Sequence, residues 1–366
     1  MKRNTLTTTF DLTVIGGGII GAWTIHLART IFPDWNILLL DANLVGNGTS
    51  RYSASLDMPG GHTPLRKKLV KSSQENWKKL LYDNPALPVR SIDAYGISKK
   101  EDVQSIREHF SGRIHEEDNP ERYVTTLQDF LPGLDVPVDH SLFQVPFAQY
   151  ALQNNIAEQI ISSVRREEKC TVMEGFEVKS VSPSEEDLTL TSANGISINT
   201  KRVIEATGPW MLTGPMAEKC ASLGARTKKI VALHIQEEPH ANAPVIYFFN
   251  KDAFLMPRHE VGQWLFSFRR ELWDVSPNLD DLRIDPDDLL AAKKVLNTLY
   301  SPFSKLISGG RSFCDAYGQN DDPIITSVVE KGTYVIAGGG SGSGFRLAPG
   351  IALEALSLLQ GKPSVK

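Results

Sequence analysis

Apolar and polar positions change period several times along this 366-residue chain, and each change predicts an element. A continuous apolar run at 12–15 reads as a strand buried on both faces. Glycines interrupt it, a stretch with helical spacing follows, and a second apolar run at 36–40 ends on Asp41. Residues 65–82 place Leu69, Trp77, Leu80 and Leu81 on or near one face and lysines elsewhere, the pattern of an amphipathic helix. Residues 148–166 also read as a helix. Alternation takes over at 171–174, 177–182, 188–191 and 196–199, predicting a strand-rich meander. Further strands are expected at 202–208, 245–249 and 264–268, and a helix at 286–300. A strand at 334–338 breaks into glycine before a last helix over 349–360.

This order predicts an α/β fold with a Rossmann-type dinucleotide-binding domain assembled from discontinuous segments, residues 1–92, 142–222 and 308–366. The intervening segments, 93–141 and 223–307, are expected to form a second, α+β substrate domain with a mainly antiparallel sheet. An intervening domain of that kind leaves a cleft between the two. Residues 93–141 turn polar, with several prolines and the charged stretch HEEDNPER, and read as an excursion from the nucleotide domain.

Composition narrows the function classes. At 41% hydrophobic and 22% charged the chain is an ordinary globular protein, long enough for two cores. A formal charge of −4 gives no reason to expect nucleic acid or an anionic membrane as partner. No apolar run reaches the roughly 18 residues that span a bilayer, and the first ten residues lack the apolar core of a secretory signal. Cys170, Cys220 and Cys314 form neither a disulfide framework nor a zinc pattern, so a reducing cytoplasm is the expected location and no metal site is expected.

Chemistry concentrates at the two ends. Gly16-x-Gly18-x-x-Gly21 lies between a strand and a helix, with Asp41 about 20 residues on. Gly16 permits the turn, Gly18 lets backbone approach a pyrophosphate and Gly21 lets helix and strand pack, while the helix N-terminus favours phosphate. Asp41 is placed to accept ribose hydroxyls. This pattern says dinucleotide without choosing between FAD and NAD. Near the other end, residues 338–344 hold a run of glycines and serines whose N–H groups can approach an electron-rich ring without steric cost.

In this order the motifs resemble the family of FAD-dependent D-amino acid oxidase-like proteins, above all its glycine oxidase and sarcosine oxidase branch. The resemblance spans nearly the whole chain and implies FAD as cofactor. Its first unit implies cofactor contacts at Ile15, Gly16, Gly18, Ile19, Ile20, Gly21, Asp41 and Ala42. The hydroxyl-rich loop GTSRYSA implies Thr49, Ser50, Ser53 and Ala54, and the mid-chain FEVKSV implies a backbone contact at Val178. The segment IEATGPW implies Ala206, Gly208 and Trp210 beneath the dinucleotide. The glycine-rich GGSGSGFR implies Gly340, Gly342, Ser343, Gly344, Phe345 and Arg346 along the flavin ring. Met256-Pro-Arg258 and the strand beyond it are similar to a substrate-domain hairpin.

The same resemblance bears on catalysis. Arg346 takes the position at which sarcosine oxidases hold the substrate carboxylate, and a guanidinium can grip a carboxylate by two bonds. The family's early carboxylate-binding arginine has no counterpart, because that region reads Ser55-Leu-Asp-Met58 with Asp57 instead. Arg311 loosely resembles the arginine of the glycine oxidase branch. Cys314 lies within one residue of the cysteine that carries a thioether-linked flavin in sarcosine oxidases, yet a buried free thiol is the ordinary state, and noncovalent FAD is favoured. The oxygen-activating lysine of sarcosine oxidases is missing from 263–268. Tyr317 is a candidate catalytic residue, and His62, Tyr247, Arg258 and His259 are further candidates to line the cleft.

The leading expectation is therefore an FAD-dependent oxidoreductase that takes a hydride from the carbon beside an amine nitrogen of a small amine or amino acid. The imine is the product, and oxygen or another acceptor reoxidises the flavin. The alternative keeps FAD but turns it on a bulkier target, a side chain of a partner protein or a biosynthetic intermediate, including by monooxygenation. A flavin-binding accessory protein is a third reading, supported if residues 142–150 expose apolar surface. A plain NAD-dependent dehydrogenase fits least, because the C-terminal glycines would then have no role.

Overall fold

The computed structural model describes residues 9–361 apart from 111–113, 117–119, 153–154, 184–186 and 330–332. The first eight residues, which carry most of the expected signal-free N-terminus, and 117–119 of the charged stretch lie outside the described residues.

Continuous apolar runs become the interior strands of a six-stranded sheet. Its order is Ile324–Ser327, Tyr334–Gly338, Val203–Glu205, Leu12–Ile15, Ile37–Leu40 and Cys170–Met173, and only the Ile324–Ser327 edge runs antiparallel. Both faces are covered, which is why these strands do not alternate in polarity. Leu12, Val14, Ile37 and Leu39 point into a core shared with the helices Ile19–Ile31, Pro64–Asp83, Ile156–Val164 and Gly344–Leu358. Ile15, Leu38 and Leu40 point the other way, onto the antiparallel meander Val178–Pro183, Leu188–Ser192 and Ser197–Thr200. The expected strand at 171–174 belongs to the parallel sheet, beside Ile37–Leu40, and not to that meander.

A second sheet of eight strands runs in the order Ile307–Tyr317, Arg226–Ile235, Gln263–Phe268, Ala253–Arg258, Val245–Phe248, Ala94–Lys99, His140–Gln144 and His115–Glu116. Its pairs are antiparallel except Val245–Phe248 with Ala94–Lys99. The helix Pro286–Leu299 closes its outer face, started by a capping box in which Asp285 and Asp288 bond each other's backbone N–H groups. This sheet reaches past the expected limits of the second domain. Ile307–Tyr317 joins it because that strand pairs along nearly the whole of Arg226–Ile235. The expected helix at 148–166 also starts later, since Gln149–Ala151 pairs with Leu56–Asp57 and Val89–Ser91 before Ile156–Val164 coils.

Candidate active site

One long cleft, about 1410 Å³ in volume, runs between the parallel sheet and the inner face of the eight-stranded sheet. At one end stands the glycine turn after Leu12–Ile15. Gly16 has φ of 104°, and a side chain there would meet the Ala206 carbonyl at 2.4 Å. A Cβ on Gly21 would lie 1.8 Å from the Gly16 carbonyl, so Gly21 packs the helix onto the strand and does not line the cleft. Gly18 is open, with only Ser50 Oγ near its missing Cβ. That hydroxyl accepts the first N–H of the helix, from Ile19, at 2.9 Å. Asp41 accepts from the N–H groups of Gly17 and Asn43 at 2.7 and 2.8 Å, and burial raises its pKa. Ile15, Gly16, Gly18, Ile19, Ile20, Asp41 and Ala42 line this end.

The loop after Gly48 forms the next stretch of wall with Thr49, Ser50, Ser53 and Ala54, and Val178, Ala206, Gly208 and Trp210 stand across it. The Trp210 ring covers Gly48 closely enough that a Cβ on Gly48 would meet it at 3.2 Å. Thr49 donates its hydroxyl to the Cys314 carbonyl at 2.8 Å, tying this loop to the other sheet.

Gly340, Gly342, Ser343, Gly344, Phe345 and Arg346 line the far end. Positive φ at Gly339, Ser341 and Gly342 coils the segment tightly before the helix Gly344–Leu358. Ser343 stands at that helix's N-cap but makes no capping bond; its Oγ accepts instead from Arg66 Nη2 at 2.7 Å and from Arg346 Nη2. The helix N-terminus therefore opens on the cleft with uncapped N–H groups and the positive end of its dipole. Asp315 accepts the Gly342 N–H at 2.9 Å, and burial raises its carboxyl to about 6.

Around Arg346 the cleft is basic. Arg346 donates to the Met58 carbonyl, and Arg66 to the Asp321 carbonyl. Asp57, 2% exposed, lies beneath Arg346 with one oxygen on Gln149 at 3.0 Å and the other without a partner. Burial raises Asp57 to about 6 although Arg346 acts the other way. His109 stacks on His62 at 6.0 Å, and burial with Arg346 pulls its imidazole down to about 3, leaving it neutral. Tyr247 donates to Asp252 nearby, and Tyr317 faces them from the strand Ile307–Tyr317. Burial raises both phenols.

Four expected site residues stand elsewhere. Arg311 does not line the cleft: its Nε donates to the Tyr52 carbonyl at 2.6 Å, Nη2 to the Ser53 carbonyl at 3.4 Å, and Nη1 contacts His234. It lies behind the loop and holds it. Cys314 is 1% exposed and alternates with Phe313 and Asp315, which face the cleft, so its thiol points away; burial pushes it up to about 12. Arg258 pairs with Glu260, and neither it nor His259 lines the wall.

Among the cleft residues not foreseen, three bear on its charge. Lys228, on the strand beside 263–268, sits 4.9 Å from the Trp273 ring centre and 5.5 Å from that of Tyr317. His109 is the second. Arg66 is the third and carried a signal: it occupies the first turn of Pro64–Asp83, where the helix dipole favours acids, and that turn has none.

Two helix N-termini, an acidic end and a glycine cradle on one cleft define a dinucleotide-dependent oxidoreductase. The chain belongs to the DAO family, FAD dependent oxidoreductase, whose model matches residues 11–358. It resembles L-proline dehydrogenase from P. horikoshii with TM-score 0.81 and 20% identity over 98% of this chain and 95% of that one. Glycine oxidase from Geobacillus kaustophilus gives 0.76 and 15% over 98% and 96%, and L-amino acid deaminase from Proteus vulgaris 0.75 and 16% over 100% and 93%. No curated protein sequence matches significantly. The expected family, fold class and cofactor hold. The cleft fits FAD, with an open Gly18 before one helix start, whose first N–H meets the Ser50 hydroxyl, and the Gly344–Leu358 N-terminus at the other end. Among the described residues there is no cluster able to hold a metal and no helix long and apolar enough to cross a membrane.

Proposed function

We propose that this enzyme oxidises a small amino or imino acid, taking a hydride from the carbon beside nitrogen and releasing an imine. One observation carries the reading: Arg346 lines the cleft immediately after the glycine segment, with no carboxylate in ion-pair distance among the described residues. A guanidinium so placed suits a substrate carboxylate. When bound, FAD supplies the hydride acceptor.

The glycine turn, Ser50 and the Ile19 helix start would hold the pyrophosphate, and Asp41 the ribose. Val178 and Trp210 would flank the adenosine half, and residues 340–346 the flavin ring. The parallel-sheet segments form the FAD domain in this reading and the eight-stranded sheet the substrate domain. The buried, averted Cys314 thiol supports noncovalent FAD. Three free cysteines suit a reducing cytoplasm.

The residues around the reacting carbon orient the substrate and exclude water. His109, held near 3, is too weak a base to draw a proton from an ammonium, and in this reading the amine reacts in its neutral form, its lone pair forming the C=N bond as the C–H bond breaks. Tyr247 and Tyr317 keep their protons and offer hydrogen bonds only. Anaerobic mixing with a panel of amino acids, imino acids and the matching decarboxylated amines tests the proposal. Acids should bleach the yellow flavin and their decarboxylated partners should not. Equal bleaching by both sets, or none by any acid, defeats it and shifts weight to a bulkier substrate.

A further inference from the structure

The basic pole of the cleft contains two guanidiniums, not one, and they touch the same atom. Arg66 Nη2 and Arg346 Nη2 both donate to Ser343 Oγ, although the two residues come from different helices. Like charges at that distance repel: burial and Arg346 together pull Arg66 down to about 10. Among the described residues neither arginine has an ion-pair partner, and the Nε of each is buried with no acceptor. Asp321 and Asp322 reach Arg66 only at longer range, and Asp322 is taken by the Thr63 hydroxyl.

We propose that Arg66 and Arg346 close together on one substrate carboxylate, with Ser343 as the pivot between them and Asp57 as the fixed counter-charge beneath Arg346. The proposal rests on the amino-acid reading above and names the residues that select for it. Two counts agree. Each guanidinium carries five N–H groups, two of them on each terminal nitrogen. Protein acceptors take one from every terminal nitrogen: Met58 and Ser343 on Arg346, Asp321 and Ser343 on Arg66. One N–H remains on each of the four terminal nitrogens, which matches the roughly four lone-pair sites of a single carboxylate. In ion pairs, neither guanidinium is in contact with a carboxylate among the described residues: Asp57 and Asp252 act on Arg346, and Asp321 and Asp322 on Arg66, only at longer range, which leaves the contact position open to a substrate anion. The early arginine absent from residues 55–58 is thus replaced from the next helix.

The test measures binding and needs no turnover. Calorimetry would follow pyrrole-2-carboxylate and its uncharged counterpart, pyrrole-2-carboxamide, on the FAD-loaded enzyme and on R66M, R66K and R346M. R66M should weaken the carboxylate by about 10- to 100-fold, the range for losing hydrogen bonds to a charged group, and leave the carboxamide nearly unchanged. R66K, which keeps the charge but not the fork, should fall between. A protein carrying both R66M and R346M, titrated alongside, should lose little more than either single variant, because the two arginines act as a unit. Unchanged carboxylate binding in R66M, or equal loss of both probes, overturns the two-arginine clamp. If R346M alone loses the carboxylate, the amino-acid reading stands without the clamp. If wild type binds no carboxylate, or neither variant affects it, both readings fall.

Discussion

Arg311 and Arg346 both follow glycine-rich stretches, one inside a strand and one in the first turn of a helix, and their surroundings separate their roles. Arg311 meets the backbone carbonyls of Tyr52 and Ser53, in the loop that carries Thr49 and Ser50. Removing it leaves those acceptors unmet at a cost of about 1–3 kcal/mol, and the loop it holds faces the cofactor. Arg311→Met should therefore weaken FAD binding by roughly tenfold or more while kcat at saturating FAD stays near wild type. Fluorescence titration of the apoprotein alongside turnover separates this from a catalytic role, which would lower kcat instead. Asp57 gives a pH signature. Its folded pKa of about 6 lies above the roughly 3.9 of an unfolded aspartate, so the folded state holds the proton more tightly in between. Stability should be highest on the acid side of that window and fall by roughly 3 kcal/mol as pH rises through it. Urea unfolding of Asp57→Asn should show that fall reduced, with the share due to Asp315, also near 6, remaining. An unchanged slope would show that Asp57 is solvated. Arg66 escaped the sequence because a lone basic residue on a lysine-rich helix looks solvated; only its first-turn position spoke against that.

At the scale of elements, the glycine turn was legible because each glycine answers a local steric demand that leaves a fixed spacing in sequence. The structure separates those demands. A methyl on Gly21 collides with backbone at 1.8 Å, whereas one on Gly18 meets only a hydroxyl at 3.3 Å. Gly21→Ala should therefore destabilise the apoprotein and lose FAD, while Gly18→Ala should keep the apoprotein's melting temperature and lose FAD alone. Equal melting losses in both variants would show that Gly18 also serves packing. Pairing partners were less legible. The strand Cys170–Met173 has the same alternation as the meander that follows it, and nothing local says that its edge meets Ile37–Leu40 across 130 residues of chain. The stretch 148–166 failed for a related reason: Gln149–Ala151 is strand because two neighbours supply its bonds, an influence stronger than local propensity.

Over the whole molecule, the two ends of the cleft were readable and its middle was not, since the middle is built from contacts between distant segments. Arg66 and Arg346 share one hydroxyl although 280 positions separate them. Thr49 reaches Cys314, and Arg311 reaches Tyr52, so the loop of one sheet is fastened to the edge strand of the other. Ala316 accepts the Ser341 N–H at 3.0 Å and Asp315 that of Gly342 at 2.9 Å, and much of the remaining wall between the sheets is cleft. A cofactor lying along that cleft touches both sheets at once and binds only their closed arrangement. Any ligand restricted to the folded state adds RT ln(1 + [L]/Kd), about 2.7 kcal/mol at a hundredfold excess over Kd. FAD should therefore raise the melting temperature of the whole chain in one cooperative step that grows with FAD concentration, and Gly18→Ala should abolish the rise. The wall segment containing Arg269, Arg270 and Trp273 reports on the same closure. It is anchored from below by Asp288, fully buried, which accepts from Arg270 at 2.9 Å and from Lys229 at 2.5 Å. Removing that carboxylate would leave Lys229 and Arg270 without their buried partner, a loss of about 3–5 kcal/mol. Asp288→Ala should thus expose this segment to limited proteolysis even when FAD is bound, whereas wild type should be cut there only as apoprotein. Equal cutting of wild type with and without FAD would show that the segment does not sense the cofactor, and that the two sheets hold their arrangement without it.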